Sequence, residues 1–66
     1  MNIGKSIKVA CAIRGFTQLR LANEIGVSEQ AVSGWVRHKT IPSLAAVERM
    51  AETLELSVSK FIHLGE

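Results

Sequence analysis

The sequence has no aspartate and no tyrosine, one cysteine, one proline and only three aromatic residues, Phe16, Trp35 and Phe61. Each shortage excludes something. A lone Cys11 cannot close an intrachain disulfide, so a disulfide-stapled secreted fold is ruled out. No long uninterrupted apolar run is present, so neither a signal peptide nor a membrane span is read, and a cytoplasmic protein without a membrane partner is expected. The two histidines, His38 and His63, fall in different predicted helices. Nothing matches a nucleophile elbow, a phosphate-binding glycine loop or the spacing of zinc ligands, so no enzyme activity, catalytic residue, metal or cofactor is expected.

What is abundant is aliphatic. Hydrophobic residues make up 47% of the chain, enough to argue against disorder. At 66 residues the chain is read as one domain over 1–66, a size at which folding buries only about 60% of the surface of the open chain. Charge is unevenly spread. Residues 1–40 carry Lys5, Lys8, Arg14, Arg20, Arg37 and Lys39 against Glu24 and Glu29, whereas residues 41–66 carry Arg49 and Lys60 against Glu48, Glu52, Glu55 and Glu66. The basic first part suits a polyanionic partner, and it also fits an ordinary solvated surface.

Apolar spacing predicts an all-α chain of five short helices, about 2–14, 17–25, 28–38, 43–55 and 57–64. Ile3, Ile7, Ala10 and Cys11 form the first stripe, ended by Gly15, and Leu21, Ala22 and Ile25 form the second, ended by Gly26. The fourth is expected to turn Leu44, Val47, Met50, Ala51 and Leu54 inward, and the fifth Phe61, Ile62 and Leu64. One device recurs at the helix starts. Phe16 precedes Thr17 with Leu21 four helical positions on; Val27, Ser28 and Val32 repeat the pattern, as do Leu56, Ser57 and Phe61. This is the hydrophobic staple beside a hydroxyl cap, each cap contributing about 1 kcal/mol.

On a helical wheel, residues 28–39 place Ala31, Val32, Trp35 and Val36 on one side and Glu29, Gln30, Ser33 and Arg37 on the other. The polar side carries the hydrogen-bonding groups that suit base edges: Gln for adenine, Arg for guanine, Glu for cytosine, Ser for either. Gly34 beside them would allow close approach to a thymine methyl or to backbone. A short helix, a glycine turn and a second helix with such a face make a helix-turn-helix, whose second helix enters the major groove.

The stretch TQLRLANEIGVSEQAVSGWVRHKTIPSLAAVERMAETLELSVSKFI resembles the Cro and phage-repressor (XRE) type of helix-turn-helix proteins, from about Ile3 to Ile62. The matching positions are Thr17-Gln18, Ala22, Gly26, Ser28, Val32, Trp35 and Pro42-Ser43-Leu44. The resemblance implies a compact five-helix lambda-repressor-like fold and a regulator of transcription that binds double-stranded operator DNA, with RNA polymerase or a toxin as further partners. It implies base contacts from Glu29, Gln30 and Ser33, with Ser28 and Gly34 at their margins. Phosphate contacts would come from Thr17, Gln18, Arg37, His38, Lys39 and Thr40, and the charge of Arg20, outside the family pattern, is expected to reach a phosphate as well. The family usually acts as symmetric dimers, which here would form through the loop around Pro42 and the last helix with Val58, Lys60, Phe61, Ile62 and Leu64. With no second domain expected, a Cro-like repressor is the leading reading; a controller of restriction–modification and an antitoxin or protein-interaction module are the alternatives.

Three positions depart from the family. Many relatives pair a glutamate after the recognition-helix aromatic with an arginine in the first helix; Val36 and Cys11 stand there in this chain, and an apolar contact is expected in place of the ion pair. Relatives often have glutamate at position 20, where Arg20 cannot complete a capping box and sits at the positive end of its helix. Exchanging Arg20 for glutamate is therefore expected to raise stability slightly while weakening DNA binding. Glu29 has two readings, a favourable charge at the helix N-terminus or a cytosine contact.

Overall fold

A computed structural model of the chain describes residues 2–66. Among them are five helices and no strand: α1 (Ile3–Arg14), α2 (Gln18–Ile25), α3 (Glu29–Val36), α4 (Leu44–Thr53) and α5 (Val58–His63). Every helix begins on a side-chain cap. The backbone N–H groups of Lys5, Arg20, Ala31, Ala46 and Lys60 donate to Asn2 Oδ1, Thr17 Oγ1, Ser28 Oγ, Ser43 Oγ and Ser57 Oγ at 2.9–3.1 Å. The staples form as the spacing predicts. Phe16, Val27 and Leu56 pack against the core, while Leu21, Val32 and Phe61 are fully buried.

The helix ends hold a feature that the sequence concealed. Helices α1 and α2 stop at Gly15 (φ 71°) and Gly26 (φ 77°), as expected, but α3 and α4 end earlier than predicted, each followed by a non-glycine residue in the same left-handed conformation, His38 (φ 63°) and Glu55 (φ 60°). All four ends close alike. Phe16 N–H donates to Cys11 O, Val27 to Ala22 O, Lys39 to Gly34 O and Leu56 to Ala51 O, at 2.8–3.0 Å, which is the long bond of the Schellman turn. A left-handed residue bearing a Cβ costs roughly 1–2 kcal/mol. At Glu55 the turn is held from outside: Arg14 Nε donates to Leu54 O at 2.8 Å and Arg14 Nη2 to Glu55 O at 3.3 Å. A cation thus sits at the negative end of α4. Arg49 Nη1 reaches Ile25 O at the end of α2, at 3.5 Å.

The five helices contact one another in a ring, α3 on α2, α2 on α4, α4 on α5, α5 on α1 and α1 on α3. Inside it lie Ile7, Ala10 and Cys11 from α1, Leu21, Ala22 and Ile25 from α2, Val32 and Trp35 from α3, Val47, Met50, Ala51 and Leu54 around α4, and Phe61 from α5. Leu44 departs from its expected inward place. It is 69% exposed, because the first position of α4 lies a turn beyond the core that Val47 reaches. The ring closes at the chain's end, where the buried Ser6 Oγ reaches Asn2 O at 3.2 Å and Ile62 O at 3.3 Å.

Two opposite changes in stability follow from the α4 terminus. Arg14→Ala should lower the unfolding free energy by about 1–2 kcal/mol through loss of charged hydrogen bonds, and Glu55→Gly should raise it by about 1 kcal/mol by releasing the left-handed Cβ. Urea unfolding followed by circular dichroism measures both, and an unchanged midpoint in either would remove that role.

Candidate nucleic-acid interface

Helices α2 and α3 are joined by Gly26, Val27 and Ser28, with Val27 tucked against the core and Ser28 capping α3. Ala22, fully buried, supplies the small side chain in the core beneath this junction. From this support α3 turns Val32 and Trp35 inward, at 0% and 9% exposure. The other side of the helix is open: Glu29, Gln30 and Arg37 are exposed and Ser33 is half-buried. Gln18, at the start of α2, joins Glu29, Gln30, Ser33 and Arg37 around one shallow depression, and a second is lined by Gln30, Ser33, Gly34, Arg37 and Lys39. Residues from both helices therefore converge on one concave face.

The chemistry of that face is donor-rich and unneutralised. Among the described residues the single contact between oppositely chargeable side chains is His63 Nδ1 to Glu66 Oε1 at 3.8 Å, at the far end of the chain. Arg37 and Lys39 thus lack a carboxylate partner even though Glu29 shares a depression with Arg37. Thr17 and Ser28 use an acceptor lone pair for their caps, which leaves each hydroxyl proton free to be donated. His38, Lys39 and Thr40 are exposed on the turn that follows α3.

Two details of the sequence reading change. Gly34 faces the protein's own turn: a Cβ there would lie 3.1 Å from the Thr40 side-chain Oγ1, a tight contact that the threonine would have to yield by a few tenths of an ångström, and Gly34 O accepts from Lys39 N–H at 2.9 Å and Thr40 N–H at 3.4 Å. The basic turn folds back over the helix through those two backbone bonds. Arg20 has a local partner, its guanidinium carbon lying 4.1 Å from the centroid of the Phe16 ring. Cys11 is 5% exposed in the core, and Val36 is half-buried against it; burial pushes the Cys11 thiol above its ordinary range, so the reactive thiolate is disfavoured.

The expected dimer residues divide. Phe61 is 0% exposed and Pro42 is buried, Val58, Ile62 and Leu64 are half-buried, and Lys60 is exposed. Phe61 and Pro42 therefore belong to the interior, because the staple onto Leu56 and the turn into α4 draw them inward. The exposed apolar side chains of this region are Ile41 and Leu44, at 87% and 69%. An isoleucine in an otherwise polar turn was the available signal for Ile41, and helical periodicity could not register it. Beside it lies a depression lined by Ile3, Trp35, His38, Thr40, Ile41 and Pro42. Among the described residues no cluster of three or more His, Cys, Asp or Glu side chains is placed to hold a metal ion, and no helix is long and apolar enough to cross a membrane.

A polar-faced helix presented across a glycine turn from another short helix defines the class of helix-turn-helix proteins. A helix-turn-helix family profile matches residues 7–61, and the chain belongs to that family, of Cro/C1 (XRE) type, whose members are DNA-binding transcriptional regulators. Among solved structures it is similar to SinR, a master regulator for biofilm formation, crystallised in complex with DNA, with a TM-score of 0.82 and 28% identity over 91% of this chain and 97% of that one. No curated protein matches the chain.

The Phe16 contact alters what a charge reversal at Arg20 should do. Arg20→Glu gains a capping-box acceptor but loses a cation–π contact of about 0.5–1 kcal/mol, so its thermal midpoint should stay close to that of the wild type. Its affinity for duplex DNA should fall. A clear rise in the midpoint would show that the Phe16 contact contributes nothing.

Proposed function

We propose that this protein is a sequence-specific double-stranded-DNA-binding transcriptional regulator, a Cro-like repressor that binds a palindromic operator as a homodimer in the cytoplasm. The observation that carries the reading is the convergence of Gln18, Glu29, Gln30, Ser33 and Arg37 on one concave, unneutralised face. The likeness to SinR, a structure in complex with DNA, supports it. In the mechanism, α3 lies in the major groove with Glu29, Gln30 and Ser33 at base edges and Ser28 and Gly34 at the margin. Thr17 and Gln18 hold a phosphate at the start of α2, where free N–H groups favour an anion. Arg20, Arg37, His38, Lys39 and Thr40 hold the backbone on either side.

Two subunits would present their α3 helices to successive major grooves about 34 Å apart. The exposed Ile41 and Leu44 support a second copy as the neighbour on that side, together with Lys60 and the partly open Val58, Ile62 and Leu64. Occupancy then excludes polymerase from the promoter. A controller of restriction–modification would use the same contacts. The antitoxin reading draws separate support from Ile13 and Leu19, 61% and 50% exposed on α1 and α2, apolar groups that a toxin surface could cover.

In vitro selection of bound duplexes, followed by titration of the selected sequence, tests the reading. A palindromic consensus is the expected outcome, since each half-site mirrors one subunit. Arg20, Arg37 and Lys39 from two subunits neutralise roughly six phosphates, so affinity should fall about 10³-fold between 50 and 200 mM salt. Affinity that barely responds to salt, or a pool that fails to converge, would overturn it.

A further inference from the structure

Gly4, on the second position of α1, lies against the far end of α3. A Cβ at this position would stand 2.6 Å from Val36 O, 3.1 Å from Trp35 O and 3.1 Å from His38 Cε1. Carbon meets carbonyl oxygen at roughly 3.3–3.6 Å even in weak C–H···O contacts. Gly4 is buried, and the nearest atom is backbone, which no rotamer change can move aside. Helix propensity pulls the other way, since glycine this near a helix start is worse than alanine by up to about 1 kcal/mol. Local preference therefore does not account for a glycine here; the approach of α3 does.

We propose that Gly4 is a positioning residue for DNA recognition, the seat against which α1 holds the C-terminal turn of the reading helix. Trp35, Val36 and His38 bracket Arg37 and precede Lys39 and Thr40, so the seat sets both the tilt of α3 and the height of the basic turn. At its other end α3 is fixed by the Ser28 cap and the buried Val32. A push at Val36 therefore tilts the helix about that fixed end and carries Arg37 and the basic turn farthest, and backbone contacts from that turn set the register in which Ser33 meets a base edge. Interfaces of this kind tolerate misplacement of roughly 0.5 Å, and relief of the Gly4 contact requires more than that.

The inference rests on the DNA-binding reading, and its test separates the two. Gly4→Ala is compared with wild type and with Arg14→Ala, which loosens α4 without touching α3. Each is titrated with the selected duplex and with a scrambled duplex of equal length, and amide resonances are followed in the free proteins. Gly4→Ala should lose roughly tenfold or more in affinity for the selected duplex, the scale of one base contact, and much less for the scrambled one. Its resonance shifts should concentrate at Trp35, Val36 and His38, and Arg14→Ala should leave both the affinity ratio and those resonances in place. If Gly4→Ala does not fold, the same measurements are made in the Glu55→Gly background, which stabilises the distant end of α4. Equal losses on both duplexes, or unmoved resonances at residues 35–38, overturn the positioning role. A wild-type protein that does not distinguish the two duplexes overturns the DNA-binding reading instead, while the resonances still decide whether Gly4 seats α3.

Discussion

The constraint on which this structure depends is the cost of helix ends. An α-helix leaves four N–H and four C=O groups without internal partners at its termini, and the helices here are only 6 to 12 residues long. Most of the backbone is therefore near an end. A core of this size cannot offset many unsatisfied groups, and the chain meets them one by one. Five side chains cap the starts, four left-handed turns close the ends of α1 to α4, and Arg14 and Arg49 add donors from other helices. Each cap also fixes the direction in which the chain enters a helix. The short helices can thus be aimed as well as stabilised.

Aim is what the reading face requires. The side chains of α3 that face outward are useful only if the helix stands proud of the domain at a defined tilt, and three separate restraints set that tilt. The Ser28 cap and the Val27 staple hold its start, Val32 and Trp35 anchor its middle, and Gly4 meets its last carbonyls. The following turn folds back with Lys39 and Thr40 N–H donating to Gly34 O, which brings Lys39 beside Gln30, Ser33 and Arg37. None of these restraints touches the outward groups themselves. Glu29, Gln30 and Ser33 can change without disturbing the fold, which is how one scaffold can serve different sequences.

What was legible in the sequence was what is local. Caps, staples and glycine stops lie within a few residues of the backbone they serve, so Thr17, Ser28, Ser57, Gly15 and Gly26 could be assigned from spacing. The polar face of α3 was legible for the same reason. The ends of α3 and α4 were not, because His38 and Glu55 occupy left-handed positions without the glycine that normally announces them. What holds Glu55 there is Arg14, 41 residues earlier in the chain. Gly4 was equally silent, since its reason is a carbonyl on another helix, and so was Asn2, whose cap was not separated from the helix it opens. Leu44, expected inward, is exposed, whereas Phe61 is buried as the staple spacing predicts and leaves the surface where a dimer contact was also expected of it. Periodicity places a residue on a face, and only the packed ends of the helices decide whether that face is covered.

The charge distribution shows how far such contacts reach into function. The excess of basic residues in the first forty invited a reading in which all of them meet a polyanion, yet Arg14 is directed to the end of α4 and Arg20 lies over Phe16. Arg49, the arginine of the acidic part, is turned to Ile25 O. The cations that remain beside the reading face are Arg37 and Lys39, with Arg20 free to swing from an exposed stack. Two subunits together still bring roughly six cations to the backbone, enough for a steep response to salt. Phosphate contacts position a protein without carrying sequence information, so on the proposed reading discrimination falls to the base-facing side chains, which work only when α3 is held still. Specificity on that reading depends on the packing between α1 and α3 more than on net charge.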